Sequence, residues 1–206
     1  LGHMIRQAGI NFNDLADEKF DSIMGDSTGA AVIFGTTGGV MEAALRTAYE
    51  IVTGREVPFK NLNIEPVRGM EGVKSASVKI EKVKSEWSFL EGAELRVAIA
   101  HGLANADKLM KEVAGGKAQY HFIEIMACPG GCIGGGGQPI PTSMEIRRKR
   151  AEAIYAADER LPLRKSHDNP EIQAIYREFL HEPLGHHSHE LLHTHYHSRK
   201  SVANKH

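Results

Sequence analysis

Residues 126–139 read Met126-Ala127-Cys128-Pro129-Gly130-Gly131-Cys132-Ile133-Gly134-Gly135-Gly136-Gly137-Gln138-Pro139, and no other segment constrains the fold as tightly. Six glycines and two prolines in this stretch sustain neither helix nor strand, so it must be a loop. The run before it, Tyr120–Met126, is apolar apart from His121 and Glu124 and reads as a central strand. The loop therefore leaves the carboxyl end of an inner strand, where open α/β sheets bind their ligands. Both cysteines of the chain lie in it, four residues apart. Thiolates are soft donors suited to iron–sulfur clusters, and glycine lets backbone N–H groups approach a bulky ligand closely. The same residues would also make a redox disulfide or two structural thiols beside a flexible loop. The spacing is not the Cys-x-x-Cys of thioredoxin-like enzymes, and two thiolates are half of what a cubane cluster needs.

Composition narrows the classes. The chain has 206 residues, 41% hydrophobic and 25% charged, which suits a globular protein of one or two domains with a sizeable core. No run of apolar residues is long enough for an ordinary transmembrane helix. Lys and Arg number 25 against 26 Asp and Glu, so no global field selects nucleic acid or an anionic membrane. Two cysteines exclude a disulfide-dense secreted scaffold. The opening Leu1-Gly2-His3-Met4 has no signal-peptide character and reads as a cloning scar on a piece of a longer protein.

Patterning alternates between helical and strand periods up to about residue 140. Asn13 would cap a helix carrying Leu15, Ala16, Phe20, Ile23 and Met24 on one face and stopped by Gly25. Ala30–Phe34 reads as a short buried strand, Gly35–Gly39 as a turn, and Val40–Val52 as a helix ended by Gly54. Strands follow around residues 75–81 and 95–99, then a helix from Leu103 to Val113. After residue 140, Thr142 or Ser143 caps a helix to about Asp158, and Asn169-Pro170 opens another to about Leu180. The expected fold class is α/β, a mixed sheet flanked by helices, with a body over residues 5–140 and a helical C-terminal appendage over 141–200. Ser201–His206 is expected to fray.

Three separated segments resemble the iron-only (di-iron) hydrogenases. Glu124, Met126, Ala127, Cys128, Gly131, Cys132, Gly135, Gly136, Gly137, Gln138 and Pro139 match the family's third signature, Glu-x-Met-Ala-Cys-x-x-Gly-Cys-x-x-Gly-Gly-Gly-Gln-Pro. Phe34-Gly35-x-Thr37-Gly38-Gly39-Val40-Met41-Glu42-Ala43 resembles the family's stretch beside the cluster. Arg164-Lys165-Ser166-His167 with Asn169, and His189-Glu190-x-x-His193, resemble its small-subunit region. The resemblance implies reversible oxidation of H₂ at an H-cluster, a [4Fe–4S] cubane joined to a di-iron subcluster. By the resemblance, Cys128 would ligate the cubane, and Cys132 would ligate it and bridge to the di-iron unit. Met126 would pack against that unit, and Phe34, Gly35, Thr37 and Val40 would line its pocket. The family's two other cysteine motifs, Thr-Ser-Cys-Cys-Pro and Met-Pro-Cys, are not in the sequence. The chain would thus supply two of four cubane ligands and be inactive alone. Its implied partners are the N-terminal half of the same catalytic domain and ferredoxin or NADH-linked electron-transfer subunits, in an anaerobic bacterial cytoplasm. The alternative reading is a hydrogenase-like protein of cytosolic iron–sulfur assembly or lamin binding, without hydrogenase activity.

Other motifs have blander readings. His189-Glu190-Leu191-Leu192-His193 matches the zinc-protease pattern, but adventitious zinc or nickel binding by His186, His187, His189, His193, His195 and His197 suits a chain end better. Arg147–Arg150, interleaved with Glu145 and Glu152, reads as a solvated helix face rather than a nucleic-acid patch. Gly134–Gly137 lacks the Gly-Lys-Ser/Thr ending of a phosphate loop. Trp87 and Phe89 read as packing groups, and His121 and Glu124 as satisfied polar residues at a strand edge.

Overall fold

The computed structural model describes residues 1–19 and 26–198. Its sheet has three strands: β1 (Val73–Lys79), β2 (Glu94–His101) and β3 (Phe122–Met126), in the order β1-β2-β3. β1 pairs antiparallel with β2, with Ala76 opposite Val97. β3 runs parallel to β2, with Met126 opposite His101. A parallel pair needs a crossover, and α4 (Leu103–Ala114) supplies it. The fold is α/β, a mixed sheet flanked by helices.

α3 (Gly39–Thr53) covers one face of the sheet. Its Met41, Leu45 and Tyr49 pack with Val78, Val97 and Ile99 around Val57, Ile64 and Val67. α4 covers the other face, packing Leu109 on Ala98 and Ala100. Burying such side chains contributes roughly 1.5–3 kcal/mol each. Gly38 opens α3 at φ +89, and a Cβ there would lie 2.0 Å from the Val67 carbonyl oxygen, so only glycine fits. α5 (Met144–Arg160) begins at Ser143, whose hydroxyl accepts the Ile146 N–H, and α6 (Pro170–Ile175) begins at Asn169, whose side chain accepts the Glu171 N–H. A π-turn over Tyr176–Leu180 and α7 (His186–Leu192) follow. α5 lays Ile154 and Tyr155 against Ala30, Ile33 and Ala43.

The structure departs from the sequence reading at four places. Ala30–Phe34 is not a strand: α2 (Gly29–Val32) and a 3-10 turn, Ile33–Gly35, occupy it. The Thr28 hydroxyl caps α2 through the Ala31 N–H, a signal a short apolar run hides. β3 is an edge strand among the described residues, and β2 is the central one; Phe122 and Ile125 are exposed. The N-terminal helix is α1 (Gly2–Gln7), with only a 3-10 turn at Phe12–Asp14 and no helix over Leu15–Lys19. The expected continuation over 20–25 and the fraying of 201–206 lie outside the described residues. Phe89 is not a core group: it is exposed, its ring 5.9 Å from that of half-buried Trp87.

Candidate metal centre

The cysteine–glycine loop leaves β3 at Met126 and folds back on itself. The Gly131 N–H donates to the Cys128 carbonyl, Gly134 to Gly131, and Gly135 to Cys132, which makes a 3-10 turn over Cys132–Gly134. Gly130 and Gly131 stand at φ +85 and +93. A Cβ on Gly131 would lie 2.7 Å from the Thr37 nitrogen and 2.9 Å from the Met126 sulfur. The loop is thus pressed against the Thr36–Thr37 backbone, and the Thr37 N–H donates to the Gly130 carbonyl at 3.0 Å. Gly35 lies near Ile133, within the turn that carries Cys132.

The structure therefore brings the Gly35–Thr37 segment against Met126 and the cysteine loop, two segments remote from each other in sequence. Cys128 is half-buried, Cys132 is exposed, and both are free thiols. A Cβ on Gly135 would lie 3.4 Å from the Cys128 sulfur. Phe34 is exposed and Val40 half-buried, each beside the turn that leads into α3. Thr37 is fully buried, and its hydroxyl has no hydrogen-bond partner among the described residues.

Several residues that hold this arrangement escaped the sequence reading. Glu124 is the satisfied polar residue on an edge strand that the sequence suggests, but its partners could not be read from the sequence. It is buried, and its carboxylate accepts the N–H of Gly38 at 2.6 Å and of Met41 at 2.7 Å, satisfying the free donors at the start of α3. Burial pushes the Glu124 carboxyl above its usual range, against the two N–H bonds that hold it down. Lys74 donates to the carbonyls of Gly69 at 2.8 Å and Thr37 at 3.3 Å, and burial lowers it to about 8. Arg150 is not on a solvated face: it donates to the carbonyls of Ile133 at 2.8 Å and Pro139 at 2.9 Å and so clamps the loop from α5. His121 is exposed and accepts the Arg96 N–H.

Behind the site lies an ionic network. Arg46 bridges Glu42 at 2.7 Å and Asp158 at 2.8 Å, all three fully buried. Arg68 joins Glu42, and Arg164 joins Asp158. Burial alone would raise the Asp158 carboxyl, but hydrogen bonds from Arg46 and Arg164 hold it below its ordinary value. Arg68 also stacks 3.9 Å over the Tyr155 ring. The network joins α3 to α5 and to the segment at Arg164, which binds the appendage to the body.

Among the described residues no three His, Cys, Asp or Glu side chains converge as a metal site. The His tail shows stacking instead, with the His189 and His193 rings 4.3 Å apart. A cleft of about 670 Å³ opens between α5 and the 65–71 segment; Thr36 lines it, and neither cysteine does. No described helix is long and apolar enough to cross a membrane.

Two free thiols, a half-buried thioether and a glycine-rich loop thus lie together at a strand end on an α/β scaffold. The family described as iron only hydrogenase large subunit, C-terminal domain, matches residues 1–136, and that described as iron hydrogenase small subunit matches residues 144–199. The chain belongs to the iron-only hydrogenase family. It is 50% identical over 203 residues to the NADP-reducing hydrogenase subunit HndD of Solidesulfovibrio fructosivorans, covering 98% of this chain and 32% of that protein. It is 46% identical over 157 residues to the periplasmic [Fe] hydrogenase large subunit of Nitratidesulfovibrio vulgaris, covering 76% of this chain and 34% of that protein. A variant of [FeFe]-hydrogenase HydA1 from Chlamydomonas reinhardtii superposes with a TM-score of 0.74 at 46% identity, over 95% of this chain and 53% of that one. The chain thus spans about a third of the length of these curated relatives.

Proposed function

We propose that this chain is the C-terminal part of the catalytic unit of an iron-only hydrogenase, residues 5–140 forming its share of the large-subunit domain and 141–200 the small-subunit region. The reaction is the reversible interconversion of H₂ with protons and electrons. The observation that carries the reading is the packing of the cysteine loop on Thr36–Thr37, with a fully buried Thr37 hydroxyl beside it that has no partner among the described residues. A buried orphan donor of this kind calls for a further group at the site. The residues present fit an H-cluster. Cys128 and Cys132 would hold its cubane, and Cys132 would also bridge to the di-iron unit. When bound, the cluster supplies the metal and electron chemistry of hydrogen splitting.

This chain's residues bind and enclose. Glycines 130–137 leave room for close backbone approach. Met126 lays a soft thioether along the site, and Phe34, Gly35, Thr37 and Val40 form the wall that keeps water away. Two thiolates are two short of a cubane's four, so the other two ligands come from outside these residues. The partners are accordingly the N-terminal half of the same domain and an electron-transfer subunit that draws on ferredoxin or a nicotinamide nucleotide, consistent with the name of the HndD relative. Likeness across both hydrogenase regions favours the enzyme over a hydrogenase-like assembly protein.

The test is the full-length protein matured with its cluster. Iron content and hydrogen evolution are measured for wild type, Cys128→Ala and Cys132→Ala. Loss of activity in both variants, with iron falling most in Cys132→Ala, is expected. Wild-type iron and activity in either variant would overturn the ligand assignment. The 206-residue chain alone is expected to evolve no hydrogen.

A further inference from the structure

His101 is the last residue of β2 and only 5% exposed. Its backbone is pinned on both sides. Its N–H donates to the Gly72 carbonyl at 3.0 Å, and its carbonyl accepts the Asn105 side chain at 2.8 Å. In the sheet it lies opposite Met126. The ring is held as firmly. Nε2 lies 3.2 Å from the Met70 carbonyl, an acceptor, so Nε2 carries the proton. Nδ1 is then bare, and it accepts the Gly130 N–H at 2.5 Å. The network thus assigns one neutral tautomer.

The four glycine N–H groups of residues 130–135 all have partners. Those of Gly131, Gly134 and Gly135 bond carbonyls of the loop itself; Gly130 alone reaches a side chain. Gly130 stands two residues from each cysteine. A backbone N–H there is a natural donor to thiolate or sulfide sulfur. Such donors stabilise the reduced, more negative cluster and raise its potential.

We propose that His101 is a positioning residue of the cluster site: by holding the Gly130 N–H on its Nδ1, it fixes the cysteine loop and withholds one donor from the sulfurs of the cubane. The inference rests on the cluster reading above and deepens it. His101 acts through Gly130.

The experiment uses the full-length protein purified with its cubane, as wild type, His101→Asn and His101→Leu. The asparagine oxygen replaces Nδ1 as acceptor, and leucine removes the acceptor. The midpoint potential of the cubane is measured by redox titration followed by electron paramagnetic resonance. An upward shift in His101→Leu with a wild-type value in His101→Asn is expected. A His101→Leu potential at or below wild type, or an equal shift in both variants, overturns the proposal. Should His101→Leu retain no iron, amide exchange decides. Slow exchange at Gly130 in wild type and His101→Asn supports the role, and fast exchange in wild type overturns it. A wild-type protein without iron would sink the cluster reading itself, whereas bound iron with an unmoved potential sinks only this inference.

Discussion

The Glu124 carboxylate accepts the Gly38 N–H at 2.6 Å, tying the strand that delivers the cysteines to the first turn of the helix behind them. The partners are 86 residues apart in sequence. With the second bond to Met41, one buried side chain sets the spacing of the two segments that form the site.

Glu124→Gln keeps one acceptor and turns an amide NH₂ toward the other backbone donor. Hydrogen bonds to a charged group contribute about 1.5–3 kcal/mol, so denaturant unfolding should show a loss of that order. An unchanged midpoint would show that the two bonds do not carry the junction.

Gly131→Ala places a methyl 2.7 Å from the Thr37 nitrogen at a φ of +93. Strain of this kind costs on the order of 1–3 kcal/mol, and the loop must move away from Met126 to relieve it. The full-length variant should bind less iron per chain than wild type by elemental analysis; equal iron would mean the contact is dispensable.

Arg150→Ala removes both clamps on the loop, at Ile133 and Pro139. Iron release to a chelator should quicken in the full-length protein, and Arg150→Lys, which reaches one carbonyl, should restore it in part. Identical release rates for all three proteins would contradict the clamp.

Asp158→Asn removes one of the two buried carboxylates of Arg46, leaving Glu42, and also removes the ion-pair partner of Arg164. Breaking a buried ion pair costs about 3–5 kcal/mol, which thermal or chemical unfolding would register. The pH dependence follows from the depressed carboxyl. The group's stabilisation is full above its unfolded value of about 3.9 and is lost as pH falls through the lower folded value. Wild type should therefore lose stability in that acid window more steeply than Asp158→Asn. Parallel acid profiles would refute this.

The motif residues were legible because they are local. Cys128, Cys132 and their glycines lie in one short segment, and no packing partner is needed to see that such a loop cannot be helix or strand. α3 and α4 were legible through period, and α5 and α6 through Ser143 and Asn169–Pro170. Ala30–Phe34 was not, because five apolar residues fit either period and a Thr28 cap decided the matter. Nor was the rank of β3 in the sheet: apolar character marks burial, and Phe122 and Ile125 lie exposed at an edge among the described residues.

The amino-acid order by itself determined the family and the glycine-rich loop with its two cysteines, since their signals reside in contiguous residues. Tertiary structure alone decided what holds them. Glu124 caps a helix, Arg150 clamps a loop, Arg46 bridges two carboxylates and His101 takes the Gly130 N–H, each with partners reached across the fold. A polar residue's role depends on which unsatisfied group the fold sets beside it, and burial makes that pairing obligatory.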